Sequence, residues 1–537
     1  MINNCQQKLN CIETQFSQNV VSKHLHHKIS YMNRIISILI IFLTHISYSQ
    51  DVNPVWTDFR STSKYSIYQN VTLDSTGFIT AYEKVTNTSV GTKREYQLIK
   101  FGPNGETVSS IEIPIRTKVK RHTKVHYIET ISSISCLFSG YDDKKGEMIL
   151  YSLKINSTPL ELGGEITELS RFKVNGNLSV NFNISMNKKK SRMLIHIPYS
   201  SEFIVLDADC NLISKHTPQI LQNQNLSAEL KESSSMRLLS LNHVITNEGN
   251  IYIIYRPYLQ NLLEPSNLSL HQTYIYSYDR LSKEEKTTHI DIGNEFIRDA
   301  RITELWDGSC SLTGIYYEKN LKGSRGLFSS KLSNSAISEL KKFPFPKRIV
   351  ELKKSLVIDQ IGKESISSDE LEFLQIDKVI QSTTGGLYHV SQVAYDFDYE
   401  HLSNRKNKGS FIIGKFDAQG ELKWITKIHQ ESSSQHIHVT DSKIFFNNSL
   451  NLIYSESDLS WKQGSSDIEQ SGKAKNYFSV LTSIDQTGKF TKKKILTTKK
   501  IEDCLYPSFS IYDENIGLVL FHPEGNKERI GILNNFK

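Results

Sequence analysis

Long apolar runs are missing from this sequence. Its most apolar stretch, Ile35–Leu43, has nine residues, about half of what a membrane-spanning helix needs, so no membrane span is expected. Proline (12 residues) and glycine (27) are too few for a collagenous or low-complexity chain. Cysteine is scarce: of six, only Cys136, Cys210, Cys310 and Cys504 lie beyond the apolar stretch, roughly 75 to 195 residues apart and with no CxxC pair. An even number permits two disulfides in three connectivities in an oxidising compartment. The spacing fits no compact disulfide scaffold, however, and a chain of this size can rely on its core. Reduced or buried thiols are therefore expected.

An excess of one charge is lacking as well. Beyond residue 49 the chain carries 60 basic and 56 acidic side chains, a net +4 over 488 residues. That balance gives no electrostatic case for nucleic acid or an anionic membrane surface. HExxH, GxSxG, Walker-type and GxGxxG-after-strand constellations are absent. The Asp-box of sialidases has one residue between its Asp and Gly, whereas the turns here have two, so that family is not supported.

What is present begins with an address. Met32-Asn33-Arg34, the apolar run Ile35–Leu43 and the small residues Ser47 and Ser49 form the three parts of a secretory signal. Residues 1–31 read as an upstream extension from a start placed too early. Residues 32–49 read as a signal peptide cut between Ser49 and Gln50, and 50–537 as the mature chain. No Cys follows the apolar run, so a lipid anchor is not expected.

The decisive feature is an internal repeat. An apolar strand, a tight polar turn and a second strand recur at 96–114, 148–166, 202–218, 273–292, 326–345, 409–428 and 476–496. A second hairpin precedes these, around Asp74–Gly77, Asn247–Asn250, Thr383–Gly386 and Asp513–Asn515. The Asn, Asp, Gly and Ser of such turns accept positive φ at little cost. Each period thus carries four short strands, A to D, the signature of a β-propeller blade. The C–D turn centres run from Asn104 to Gln486 at a mean spacing of about 64 residues. The C-terminal ERIGILNNFK then reads as strand C of an eighth unit without a strand D. The segment Pro54–Phe59, ahead of the first strand A, is expected to supply it and close the ring, hiding two open sheet edges. The expected fold is all-β, a single propeller of eight four-stranded blades, or seven if the weak unit 171–217 is irregular. Segments 218–235 and 346–374 break the strand pattern and read as helical or irregular D–A insertions.

The copies FDAQGELKW (416–424) and IDQTGKF (484–490) resemble the blade repeats of secreted bacterial propellers of the delta-60 or SBBP kind. In those, a strand ending in D-x-x-G is followed by a strand often bearing Trp. Signal, length and composition are similar to those of envelope proteins of Gram-negative bacteria. The resemblance implies fold and export and little about activity. Quinoprotein dehydrogenases and outer-membrane assembly propellers have a related motif with a regular docking Trp. Here only Trp424 occupies that place, so no quinone site is carried over and no cofactor is expected.

Candidate metal sites are thin. Asp396, Asp398 and Glu400 would share one strand face, as Ca²⁺ ligands can, but no Gly-turned loop gathers them, and a solvated strand end is the plainer reading. His436 and His438 lack a third Zn ligand nearby. No metal is expected. Loop length says more. The B–C connections 256–272, 396–409 and 456–475 and both D–A insertions emerge on one face of the disc, and long loops on a rigid scaffold are where binding resides. That face would carry Tyr255, Arg256, Tyr258, Tyr316, Tyr317, Tyr395, Tyr399 and Trp461, residue types that dominate hot spots. The competing reading makes several of these tyrosines strand-end packing residues. The opposite face, built of short turns such as Asn187–Lys190, is expected to offer little apolar area. The functional expectation is a non-catalytic envelope propeller, periplasmic rather than surface-displayed, that binds a protein partner as a scaffold subunit, with a glycan as a further partner class. The rival is a polysaccharide-active hydrolase or lyase with acidic residues at the channel mouth.

Overall fold

The middle strands of several blades carry unbroken apolar runs, as in Phe203–Leu206, Ile251–Tyr255 and Leu518–Phe521, all buried. A run without alternation suits a strand covered on both faces, the situation of a sheet stacked between two others. The computed structural model describes residues 54–533 apart from 63–64, 75, 89–90, 116–120, 123–124, 143, 174–181, 198–201, 218–235, 260–271, 319–322, 334–335, 360, 368–370, 372–373, 396–405, 431, 435–440, 467–472 and 525–526. The expected signal and the 218–235 insertion lie outside the described residues.

The strands form eight antiparallel sheets, each with the order A-B-C-D. The A strands are Ser66–Asp74, His126–Glu129, Asn183–Met186, Met236–Ile245, Glu295–Glu304, Leu374–Gln381, Lys443–Asn447 and Ile511–Asp513, for blades 1 to 8. A strands of neighbouring blades touch one another around most of the ring, so they line the channel of a β-propeller. The weak unit is a complete blade 3, with strands Asn183–Met186, Arg192–Ile197, Glu202–Asp207 and Leu212–His216. Eight blades, not seven, is the count.

The core lies between blades. Ile79 and Leu98 of blade 1 pack with Tyr127 and Leu153 of blade 2, and Leu194 of blade 3 packs with Ile253 of blade 4. Each of the eight gaps holds such a cluster, the last joining Phe521 of blade 8 to Phe78 and Phe101 of blade 1. The N-terminal segment closes the ring as expected. Val55–Trp56 and Arg60–Ser61 pair with Lys527–Leu533, strand C of blade 8. Between the two short pairings, Thr57 donates its backbone N–H to Ile530 at 2.9 Å and accepts from Ile530 N–H through its hydroxyl at 3.0 Å. Trp56 lies on Gly531, where any Cβ would come within 2.6 Å of its ring.

The D-x-x-G turns fold for a local reason. Asp485 Oδ1 accepts from the backbone N–H of Thr487 (2.8 Å) and Lys489 (3.0 Å), and Gly488 takes φ +84°, the left-handed region. Asp417 and Gly420 repeat the arrangement. Trp424, in strand D of blade 6, lies on Gly488 of the next blade and donates its indole N–H to Gln486 O at 2.9 Å.

The 346–374 insertion contains a short helix, α1 (Lys347–Glu351), and a 3₁₀ turn (Ile361–Lys363). It also holds a strand that the sequence pattern does not announce. Leu356–Ile358 pairs with strand D of blade 6, Leu422–Ile428, as a fifth strand. Ile349, Leu356 and Ile358 sink into the cluster between blades 5 and 6, so the insertion covers a sheet edge.

Candidate binding surfaces

The channel wall is braced by a recurring device. Strand A carries a β-bulge in blades 1, 4, 5 and 6, ending at Gln69, Asn242, Asp299 and Lys378. A bulge re-aims the next side chain, and here each one reaches the inner strand of the following blade. Gln69 accepts from Tyr127 N–H at 3.1 Å, Asn242 from Ile302 N–H at 2.9 Å and Asp299 from Ile376 N–H at 3.0 Å, while Lys378 donates to Ile444 O at 2.9 Å. Asp299 also accepts from Ala300 N–H and from Arg301, each at 2.8 Å. Burial pushes its carboxyl upward, and Arg301 and the backbone N–H donors pull it back. Gln69, Asn242 and Asp299 are spent on holding blades together, while Lys378 commits one of its three N–H donors.

The expected anchors on the insertion face fare unevenly. Tyr255 and Tyr316 are fully buried, in the clusters between blades 3 and 4 and blades 4 and 5. Their position as binding anchors is corrected: both stand on strand B, whose side chains face neighbouring blades rather than solvent. Arg256 is half-buried and donates to the carbonyls of Ile297 and Arg298, a clamp between blades 4 and 5. Trp461 sits half-buried on α2 (Asp458–Gln463), within the 456–475 connection, against Phe478 and beneath the ammoniums of Lys492 (4.7 Å) and Lys494 (4.9 Å). Tyr317 packs against Phe296 and under Arg298. Tyr258 and Tyr395 lie in strands, but their side chains fall outside the described residues, as do Tyr399, the Asp396–Glu400 run and His436 and His438.

The opposite face departs from expectation. A–B turns ring the channel there, and those of blades 2 to 5 are bonded into one platform. Ile131 N–H donates to Lys190 O (3.1 Å), Lys189 N–H to Asn247 Oδ1 (3.0 Å), and Asn247 N–H to the buried Glu304 carboxylate (2.8 Å). On this platform Trp306 and Ile131 are each 72% exposed. Lys188 reaches over the channel mouth from blade 3, its ammonium 4.5 Å from the Trp306 ring and 3.1 Å from Gln381 Oε1 of blade 6. Trp306 is the most exposed large aromatic among the described residues. The signal that finds it is local: in Leu305-Trp306-Asp307-Gly308, Gly308 N–H closes on Leu305 O at 3.1 Å, leaving no strand surface for the indole to fold onto.

Among the described residues, no cluster of three His, Cys, Asp or Glu is placed to hold a metal. His196, His389 and His429 are buried, held neutral with pKa values near 3, 3 and 4, chiefly by burial. Cys136, Cys210, Cys310 and Cys504 are all buried and unbridged, and burial raises each thiol, that of Cys310 to about 12.

No known protein family matches this chain, and no curated protein does. Among solved structures, a protein from Lactobacillus plantarum is similar over 79% of this chain and 97% of its own, at 11% identity and a TM-score of 0.36. A protein of unknown function from Dyadobacter fermentans is similar over 71% and 99%, at 10% identity and 0.30. The β-propeller domain of Cps50 (Swd1) from Myceliophteria thermophila is similar over 76% and 98%, at 9% identity and 0.29. The eight-bladed ring rests on the strand pairing described above and not on these distant likenesses. A propeller suits a protein-binding scaffold.

Proposed function

We propose that this chain is a non-catalytic binding propeller exported to the cell envelope, a periplasmic scaffold subunit that engages a protein partner. The resemblance of its D-x-x-G turns to secreted bacterial propellers and the signal-like segment 32–49 support the address. The observation that carries the binding reading is Trp306, held out from a braced ring of turns. A large aromatic at 72% exposure beside Lys188 has the make-up of an interface hot spot. The surrounding hydrogen bonds fix its turn in advance, which reduces the ordering cost of association. On this reading the docking surface lies at the hairpin-face mouth of the channel, and the insertion-rich face serves as a second surface. The rival enzyme reading asks for carboxylates and a His converging at a channel mouth; the described pocket at the insertion-face end carries two aspartates and two lysines.

The test is site-specific photo-crosslinking in cells. A photoreactive phenylalanine analogue at position 306 is expected to capture one envelope protein, and the same analogue at Val108, exposed on the rim of blade 1, is not. Adducts from position 108 alone, or none from 306, would overturn the assignment.

A further inference from the structure

The insertion-face end of the channel holds a second feature, independent of the Trp306 surface. Between the inner strands of blades 6 and 7 and the segment leading into blade 8 lies a cavity of about 210 Å³, lined by Asp377, Lys378, Asp441, Ser442, Lys443 and Ser508. Its hydrogen-bond donors are largely unspent. An ammonium has three N–H donors; Lys378 uses one on Ile444 O. Lys443 is half-buried and makes no hydrogen bond or ion pair with any described residue. The Ser508 hydroxyl oxygen is shielded from solvent and has no partner. Asp377 accepts from the Ser442 hydroxyl at 3.3 Å, and no ion pair joins either aspartate to either lysine.

Two neighbouring ammoniums and a buried, unpartnered hydroxyl converging on one cavity are the donor set that an oxyanion satisfies. We infer that this cavity binds a small oxyanion group, the carboxylate or phosphate of a ligand entering the channel from the insertion face, through Lys378, Lys443 and Ser508. Asp377 and Asp441 make the lining neutral overall, so the oxyanion is held by the placement of the donors. Burial first and Lys378 second pull the Lys443 ammonium down to about 8, and an anion between the two lysines relieves both effects.

Thermal unfolding in inorganic phosphate and in glucuronate, each at ionic strength matched with sodium chloride, tests this. Either anion should raise the Tm of the wild type along a saturating curve; a phosphate response alone identifies a phosphate ligand, and a glucuronate response a carboxylate. Lys443→Met should bind the active anion at least about tenfold more weakly. It should melt no lower than wild type in plain buffer, because the ammonium it removes has no partner among the described residues. Ser508→Ala, a smaller change, should shift the binding curve in the same direction. No saturable rise with either anion, or an equal rise in Lys443→Met, overturns the inference.

Discussion

Arg60→Ala probes the seam at which the ring closes. Arg60 lies on the N-terminal segment that completes blade 8 and pairs with Glu528 of that blade, while also contacting the Tyr82 hydroxyl of blade 1. The Glu528 side chain is only 5% exposed, and its remaining donor is Tyr82, at 2.6 Å. Removing the guanidinium therefore leaves a buried carboxylate with a single neutral hydrogen bond. Breaking a buried pair from one side costs about 3–5 kcal/mol, and the lost stacking over Phe101, 4.3 Å from the guanidinium carbon, adds about 0.5–1 kcal/mol. Urea unfolding followed by tryptophan fluorescence reads the loss, with Trp56 reporting from the seam itself. Two controls isolate the cause. Adding Glu528→Gln to Arg60→Ala removes the stranded charge and should recover much of the stability. Lys341→Ala breaks an exposed pair with Glu421 and should cost at most about 1 kcal/mol. If Arg60→Ala unfolds within about 0.5 kcal/mol of wild type, the buried pair contributes little to ring closure and this reasoning fails.

Two further outcomes concern the buried groups. His196, His389 and His429 have folded pKa values depressed below the unfolded value of about 6.5, so protonation favours the unfolded chain and stability is lost as pH falls below that value. Between pH 7 and 5 the linkage is worth about 2 kcal/mol per histidine as an upper bound; urea midpoints should fall over that range, and a His389→Gln variant should show the shallower fall. Cys136, Cys210, Cys310 and Cys504 should resist a thiol reagent in the native protein and react together once it is denatured; rapid labelling of the folded chain would contradict their burial.

Much of the fold was legible because its cues are local. Asp417–Gly420 and Asp485–Gly488 declare their turns through one carboxylate and one glycine, each acting within five residues. The orphan Pro54–Phe59 segment and the missing eighth strand D are complementary absences that a repeat count exposes. The channel braces were not legible, because Gln69, Asn242, Asp299 and Lys378 share a bulged position but no chemistry. Leu356–Ile358 escaped notice as a strand because three residues carry no periodicity. Two of the expected anchors prove buried for a physical reason. Aromatics such as Tyr255 and Tyr316 look exposed when loop length is the guide, yet inter-blade packing claims strand B to its ends. Trp306 went unremarked because a short turn reads as backbone geometry, although a tight turn is where an indole has nothing to fold against.

If the hairpin-face channel mouth is the docking surface, Trp306 must carry a large share of the affinity. The decisive quantity is the affinity of the protein captured from position 306, measured in solution for wild type and Trp306→Ala. Loss of a central aromatic anchor predicts a cost of about 2 kcal/mol, or roughly 30-fold weaker binding, with the melting temperature unchanged because the indole is 72% exposed and belongs to none of the inter-blade core clusters among the described residues. Binding within about threefold of wild type would contradict a docking surface centred on Trp306.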